Sequence, residues 1–143
     1  MTTNDMTVSE VELYKAGKSG EGGIFMMDNA EFVAAVFPQL PDGAFAAVCS
    51  KVGDPAVGGW MAIRADSSIN NVSSVHNNFV GCSSFYPSAD GLFKARKAQF
   101  AACHFLMLDD LCTKVPLERL ADFELSWLIE TSPGNFQGGI ILA

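Results

Sequence analysis

The sequence predicts an α+β domain, a mostly antiparallel sheet with a few helices packed on it. Three observations lead there. Short runs with strand character outnumber the one run with helical spacing. Several runs are joined by turn residues at hairpin spacing, most plainly around Ser132, Pro133, Gly134 and Asn135. The chain has 143 residues, of which 49% are apolar and 17% charged. That is enough for one continuous core and too little for two.

The elements follow in order. Residues 1–27 include the Gly/Ser/Lys stretch KAGKSGEGG and read as a flexible N-terminal arm; residues 28–143 read as a single domain. Gly17, Lys18 and Ser19 resemble the end of a phosphate loop, but Glu12 stands where that motif needs its first glycine. Asp28 or Asn29 can cap a helix whose apolar face is Phe32, Val33, Val36 and Phe37, and Pro38 ends it. Pro41, Asp42 and Gly43 make a turn. Residues 44–52 and 59–65 read as strands of one hairpin, and 66–78 as a loop or weak helix. Residues 79–85 form a third strand. Residues 100–111, FAACHFLMLDDL, read as a buried central strand ending in two carboxylates. Residues 113–120 read as a short helix with Pro116 in its first turn, and 125–130 and 136–142 as the closing strands.

Composition excludes several classes. Nine Lys and Arg against 16 Asp and Glu give a net charge of −7, which repels a polyphosphate backbone overall while leaving room for a local basic site. No apolar run approaches the length of a membrane span. The acidic, polar start lacks the form of a signal peptide, so the cytoplasm of the host cell is the expected compartment. The four cysteines form no Cys-x-x-Cys pair; they read as free thiols, with Cys49 and Cys103 in the core.

Chemistry concentrates in three places. Asp109 and Asp110 end an apolar strand and must reach solvent, a cation or a donor network. As a pair they suit Mg²⁺ or Mn²⁺; one capping a turn and one solvated is the alternative. The segment TSPGNFQ, residues 131–137, can offer backbone N–H groups and hydroxyls to a phosphate, or be an ordinary hairpin turn. Lys94, Arg96 and Lys97 form a solvated face, or hold phosphates if they fold over the acids. His76 and His104 read as hydrogen-bonded loop and core residues.

Together, KAQFAACHFLMLDDLCTKVPLERL and SWLIETSPGNFQ resemble replication primases of the archaeo-eukaryotic type, closest to the RepB-like primases of phages and plasmids. The likeness is best over residues 77–142. It implies a partial primase-type, RRM-like core. It also implies that Asp109 and Asp110 match the metal-binding acids, although the family usually spaces its two aspartates by one residue. Ser132, Gly134, Asn135 and Gln137, with Lys94, Arg96 and Lys97, match the nucleotide-phosphate contacts. Gln137 stands where a histidine is expected, and Gln carries no titratable proton. The family's third acid lies on a later strand than this chain contains.

The initiator Met and the absence of a tag read as a complete small gene product. The expectation is a shortened primase-like phage protein that no longer polymerises and needs no cofactor. It would act as an inhibitor of a basic host nucleoprotein or nuclease complex, in the manner of an anti-CRISPR protein. The other reading is the nucleotide- and metal-binding half of a DNA primase, taking nucleotide or nucleic acid with Mg²⁺ or Mn²⁺. A homo-oligomer is a third expectation, since an unpaired sheet edge invites association.

Overall fold

The computed structural model describes residues 28–54, 56–59, 62–65 and 76–142. The predicted arm, residues 1–27, and most of the 66–78 segment lie outside these. Helix α1, Asn29–Val36, starts at a complete capping box: Asp28 Oδ1 accepts from the Glu31 N–H at 2.8 Å, and Glu31 Oε2 accepts from the Asp28 N–H at 2.9 Å. Phe32 and Val36, one turn apart, are buried, and Phe37 continues that face beyond the last helical residue.

Seven strands follow: β1 (Phe45–Lys51), β2 (Ala62–Arg64), β3 (Asn77–Phe85), β4 (Phe100–Cys103), β5 (Phe105–Leu111), β6 (Trp127–Ser132) and β7 (Asn135–Ile141). They form two antiparallel sheets, ordered β2-β1-β3-β4 and β5-β7-β6. The α+β class and the β1–β2 and β6–β7 pairings agree with the sequence reading. Three readings do not. The apolar 100–111 run is an edge, since β4 and β5 each end their sheet's order. Cys103 is exposed rather than in the core, and Cys49 is half-buried. The helix expected over 113–120 is a single tight turn at Leu117–Leu120, because Pro116 and the turn at 112–115 leave too few residues to nucleate more.

His104 joins the two sheets. Its N–H donates to the Cys82 carbonyl of β3 and its carbonyl accepts from the Leu142 N–H at the end of β7, both at 2.8 Å. Residues 100–111 therefore pass from one sheet to the other through a single residue. The core faces change over at this step. The helix side of the first sheet presents Ala46, Val80 and Cys82, whereas that of the second presents Phe105, Met107, Trp127 and Ile129. Edge-to-face rings tie these layers together: Phe37–His104 at 5.2 Å, Phe37–Phe105 at 5.5 Å, Phe105–Trp127 at 5.8 Å and Phe32–Trp127 at 5.4 Å. The His104 Nε2 lies 2.7 Å from the Oγ of fully buried Ser84.

Glycine decides one contact in the core. Gly139 pairs across the ladder with Trp127, and a Cβ there would sit 2.1 Å from the indole Cε2. The ring has nowhere to move, being 1% exposed. Gly139→Ala should cost about 3 kcal/mol through overpacking, a fall of roughly 10 °C in Tm for a domain of this size. Gly58→Ala, with open space around it, should leave Tm unchanged; equal melting of the two variants would refute the packing argument.

The junction should also sense pH. Burial holds His104 below the ordinary histidine value. As pH falls through about 6.5, the unfolded chain takes up a proton that the folded chain refuses, so stability drops until pH lies below the folded-state value. Calorimetric Tm should decline between neutral pH and pH ~5, and His104→Asn should flatten that decline. An equally steep decline in the variant would show that another group is responsible.

Candidate functional site

The acids sit in a bulge. Leu108 pairs with Gly138 and Leu111 with Phe136, so Asp109 and Asp110 together face the single residue Gln137. Asp110 has φ 56, a left-handed conformation that Asp tolerates better than most side chains. Its neighbours hold it there. Its N–H donates to Asp109 Oδ1 at 2.8 Å, and its carbonyl accepts from the N–H groups of Lys114 at 3.0 Å and Val115 at 3.1 Å. Its carboxylate pairs with Lys114 Nζ at 2.6 Å, which holds that ammonium above its ordinary pKa, by hydrogen bond first and charge second. Lys114 is 78% exposed, so the pair is well screened and adds little stability.

The 131–137 segment lies beside this loop. Pro133 and Gly134, with φ 75 at the glycine, span the Ser132↔Asn135 pair as a tight turn. Thr113 Oγ1 donates to Asn135 Oδ1 at 2.6 Å, and Asn135 Nδ2 donates to Thr131 Oγ1 at 3.1 Å. The two segments on which the primase resemblance rests are thus tied directly together. The turn's donors are largely committed, however. The Gly134 N–H is bonded to Glu130 Oε1 at 2.8 Å, Pro133 has no N–H, and the Asn135 amide is engaged. A carboxylate already takes the place that a phosphate would want. Gln137 shares a face with buried Ile129, its partner across the ladder.

Lys94, Arg96 and Lys97 lie elsewhere. They precede β4, at the opposite end of the 100–111 run from the acids, and among the described residues no ion pair joins them to Asp109 or Asp110. Lys94 pairs with Asp90 at 3.2 Å, and Asp90 is held down to about 2 by the Ser88 hydroxyl, the Leu92 N–H and Lys94.

The Asp110 carboxylate pairs with exposed Lys114, and Asp109 Oδ1 accepts from its neighbour's N–H. Among the described residues no three His, Cys, Asp or Glu side chains are placed to share an ion. The sequence reading missed Glu130, Thr113 and Lys114. Their only signal was a Thr-Lys pair three and four residues after Asp110, and a Glu-Thr pair before the Ser-Pro-Gly turn.

In comparisons with known proteins, no family model, no curated protein and no solved structure matches the chain.

Strain in this loop is measurable. Cys112 has φ 67 and an exposed side chain with no contact to compensate among the described residues. Cys112→Gly should raise stability by about 0.5–1 kcal/mol, the left-handed penalty less the added chain entropy of glycine. Chemical denaturation giving a lower midpoint for the variant would contradict the assigned backbone.

Proposed function

We propose that the protein is a primase-like scaffold that acts by binding and does not synthesise polynucleotide by itself. The observation that supports this is the loop network at one end of the second sheet. Its two segments are joined through Thr113, Asn135 and Thr131, and its groups also bond to Lys114 and Glu130. Phosphoryl transfer needs carboxylates free to hold two ions and align the attacking oxygen. Asp109 and Glu130 remain exposed on a chain of net charge −7, which suits contact with a basic partner. The finer form of the reading is occupancy of the nucleic-acid groove of a host defence nuclease.

A second reading, the nucleotide-binding half of a primase, is favoured by the same adjacency of the two segments. One pair of measurements separates them. The purified chain, given single-stranded template, nucleoside triphosphates and Mn²⁺, should yield no product. Calorimetric titration with nucleotide and Mn²⁺ should give no heat beyond dilution. Template-dependent synthesis would overturn the binding reading. Heat that vanishes in Asp109→Ala would establish the nucleotide-binding one.

A further inference from the structure

Two loops of opposite charge each hold apolar side chains in solvent. The first, residues 86–99, joins β3 to β4. Its base is closed by the Tyr86 N–H, which donates to the Gln99 carbonyl at 2.8 Å. Its tip is folded by the Ser88 N–H on the Leu92 carbonyl at 3.0 Å and the Gly91 N–H on the Ser88 carbonyl at 2.8 Å. Tyr86 is 43% exposed and Leu92 56%. Lys94 is taken by Asp90. Arg96 and Lys97 are exposed and enter no ion pair among the described residues.

The second loop, residues 112–126, joins β5 to β6. Both strands run antiparallel to β7, which lies between them, so the loop returns along the sheet over β7. It is anchored there by Leu111 and Leu125, each with a Cδ1 3.2 Å from where a Cβ on Gly138 would sit. Beyond the anchor the chain stands out: of residues 116–124 only Leu120 is half-buried and the rest are exposed. Leu117 is 40% exposed and Phe123 58%. Successive tight turns, Arg119 N–H to the Pro116 carbonyl at 3.1 Å and Phe123 N–H to the Leu120 carbonyl at 2.9 Å, fix its shape. Glu118, Asp122 and Glu124 outnumber Arg119, and none of the four enters an ion pair among the described residues.

Both loops are thus pre-ordered, which lowers the entropy lost on docking. An exposed aromatic or leucine ringed by charge is the composition of an interface anchor and its rim. Two acidic loops would repel each other, and so would two basic ones, so each loop fits the other kind. The net charge of −7 does not prevent this, because charges more than about 8 Å apart are largely screened at physiological ionic strength.

We propose that the 116–124 loop of one copy of this chain docks on the 86–99 loop of a second copy. Phe123 and Leu117 pack against Leu92 and Tyr86, with Asp122 and Glu124 facing Arg96 and Lys97. Every copy carries both loops, so the contact is head-to-tail and builds a ring or an open chain. The proposal goes beyond the binding reading above and rests neither on it nor on the primase resemblance.

Sedimentation velocity of the full chain, from low-micromolar to submillimolar concentration, tests this. The weight-average sedimentation coefficient should rise reversibly with concentration. A basic-loop variant, Leu92→Ser with Arg96→Ser, and an acidic-loop variant, Leu117→Ser with Phe123→Ser, should each weaken self-association about thirtyfold. All four side chains are solvent-exposed, and circular dichroism confirms that both variants are folded. An equimolar mixture of the two retains one intact loop of each kind. It should form a one-to-one dimer with wild-type affinity and grow no further. A wild type that stays monomeric throughout, a variant that associates as well as the wild type, or a mixture that stays monomeric would each overturn the proposal. None of these outcomes bears on whether the chain synthesises polynucleotide or binds a basic host protein.

Discussion

Everything in this molecule hangs on the backbone of one residue, His104. A strand residue normally spends its N–H and carbonyl on one neighbour. Here the N–H serves β3 and the carbonyl serves β7. Among the described residues the two sheets share no strand, and His104 bonds to both. The imidazole supports the arrangement from the side, against Ser84 and the ring of Phe37. Through Phe37 the junction reaches α1, and through Phe105 and Trp127 it reaches the second sheet. Burial disfavours charge on this ring.

The junction also explains how two chemically different surfaces coexist on one small domain. The first sheet turns rings and cations outward, and the loop end of the second gathers Asp109, Asp110 and Glu130. Because the core face changes between His104 and Phe105, the two sheets present separate outer faces. Net charge alone, at −7, conceals this segregation.

Much of the fold was legible because it rests on local chemistry. The cap at Asp28, the Pro38 stop and the Ser-Pro-Gly-Asn hairpin all follow from residues within a few positions of one another. The position of the 100–111 run was not legible. A fully apolar run usually means a strand covered on both sides, and nothing in FAACHFLMLDDL marks the residue at which its partner changes. Cys103 was misplaced for the same reason, since it lies just before the changeover on the outward side. At the site, the acids and the turn were visible as residues. That Lys114 and Glu130 would commit them was not, because a salt bridge and a capped N–H depend on loop geometry that composition does not encode.

The edge position of 100–111 gives the two acids a physical reason to exist that owes nothing to catalysis. An apolar edge of this length would template pairing with another chain, and proteins avoid that with bulges and charges. Three devices break this edge into short pieces. The register shifts between Ser84 and Phe85 where β4 begins. Phe105, at the middle, is fully buried. The far end carries the Asp109–Asp110 bulge, charged and strongly twisted. Two adjacent carboxylates after an apolar run thus read first as protection of an edge. Whatever else they once held or could hold, a strand exposed in this way needs charge at its end to stay single.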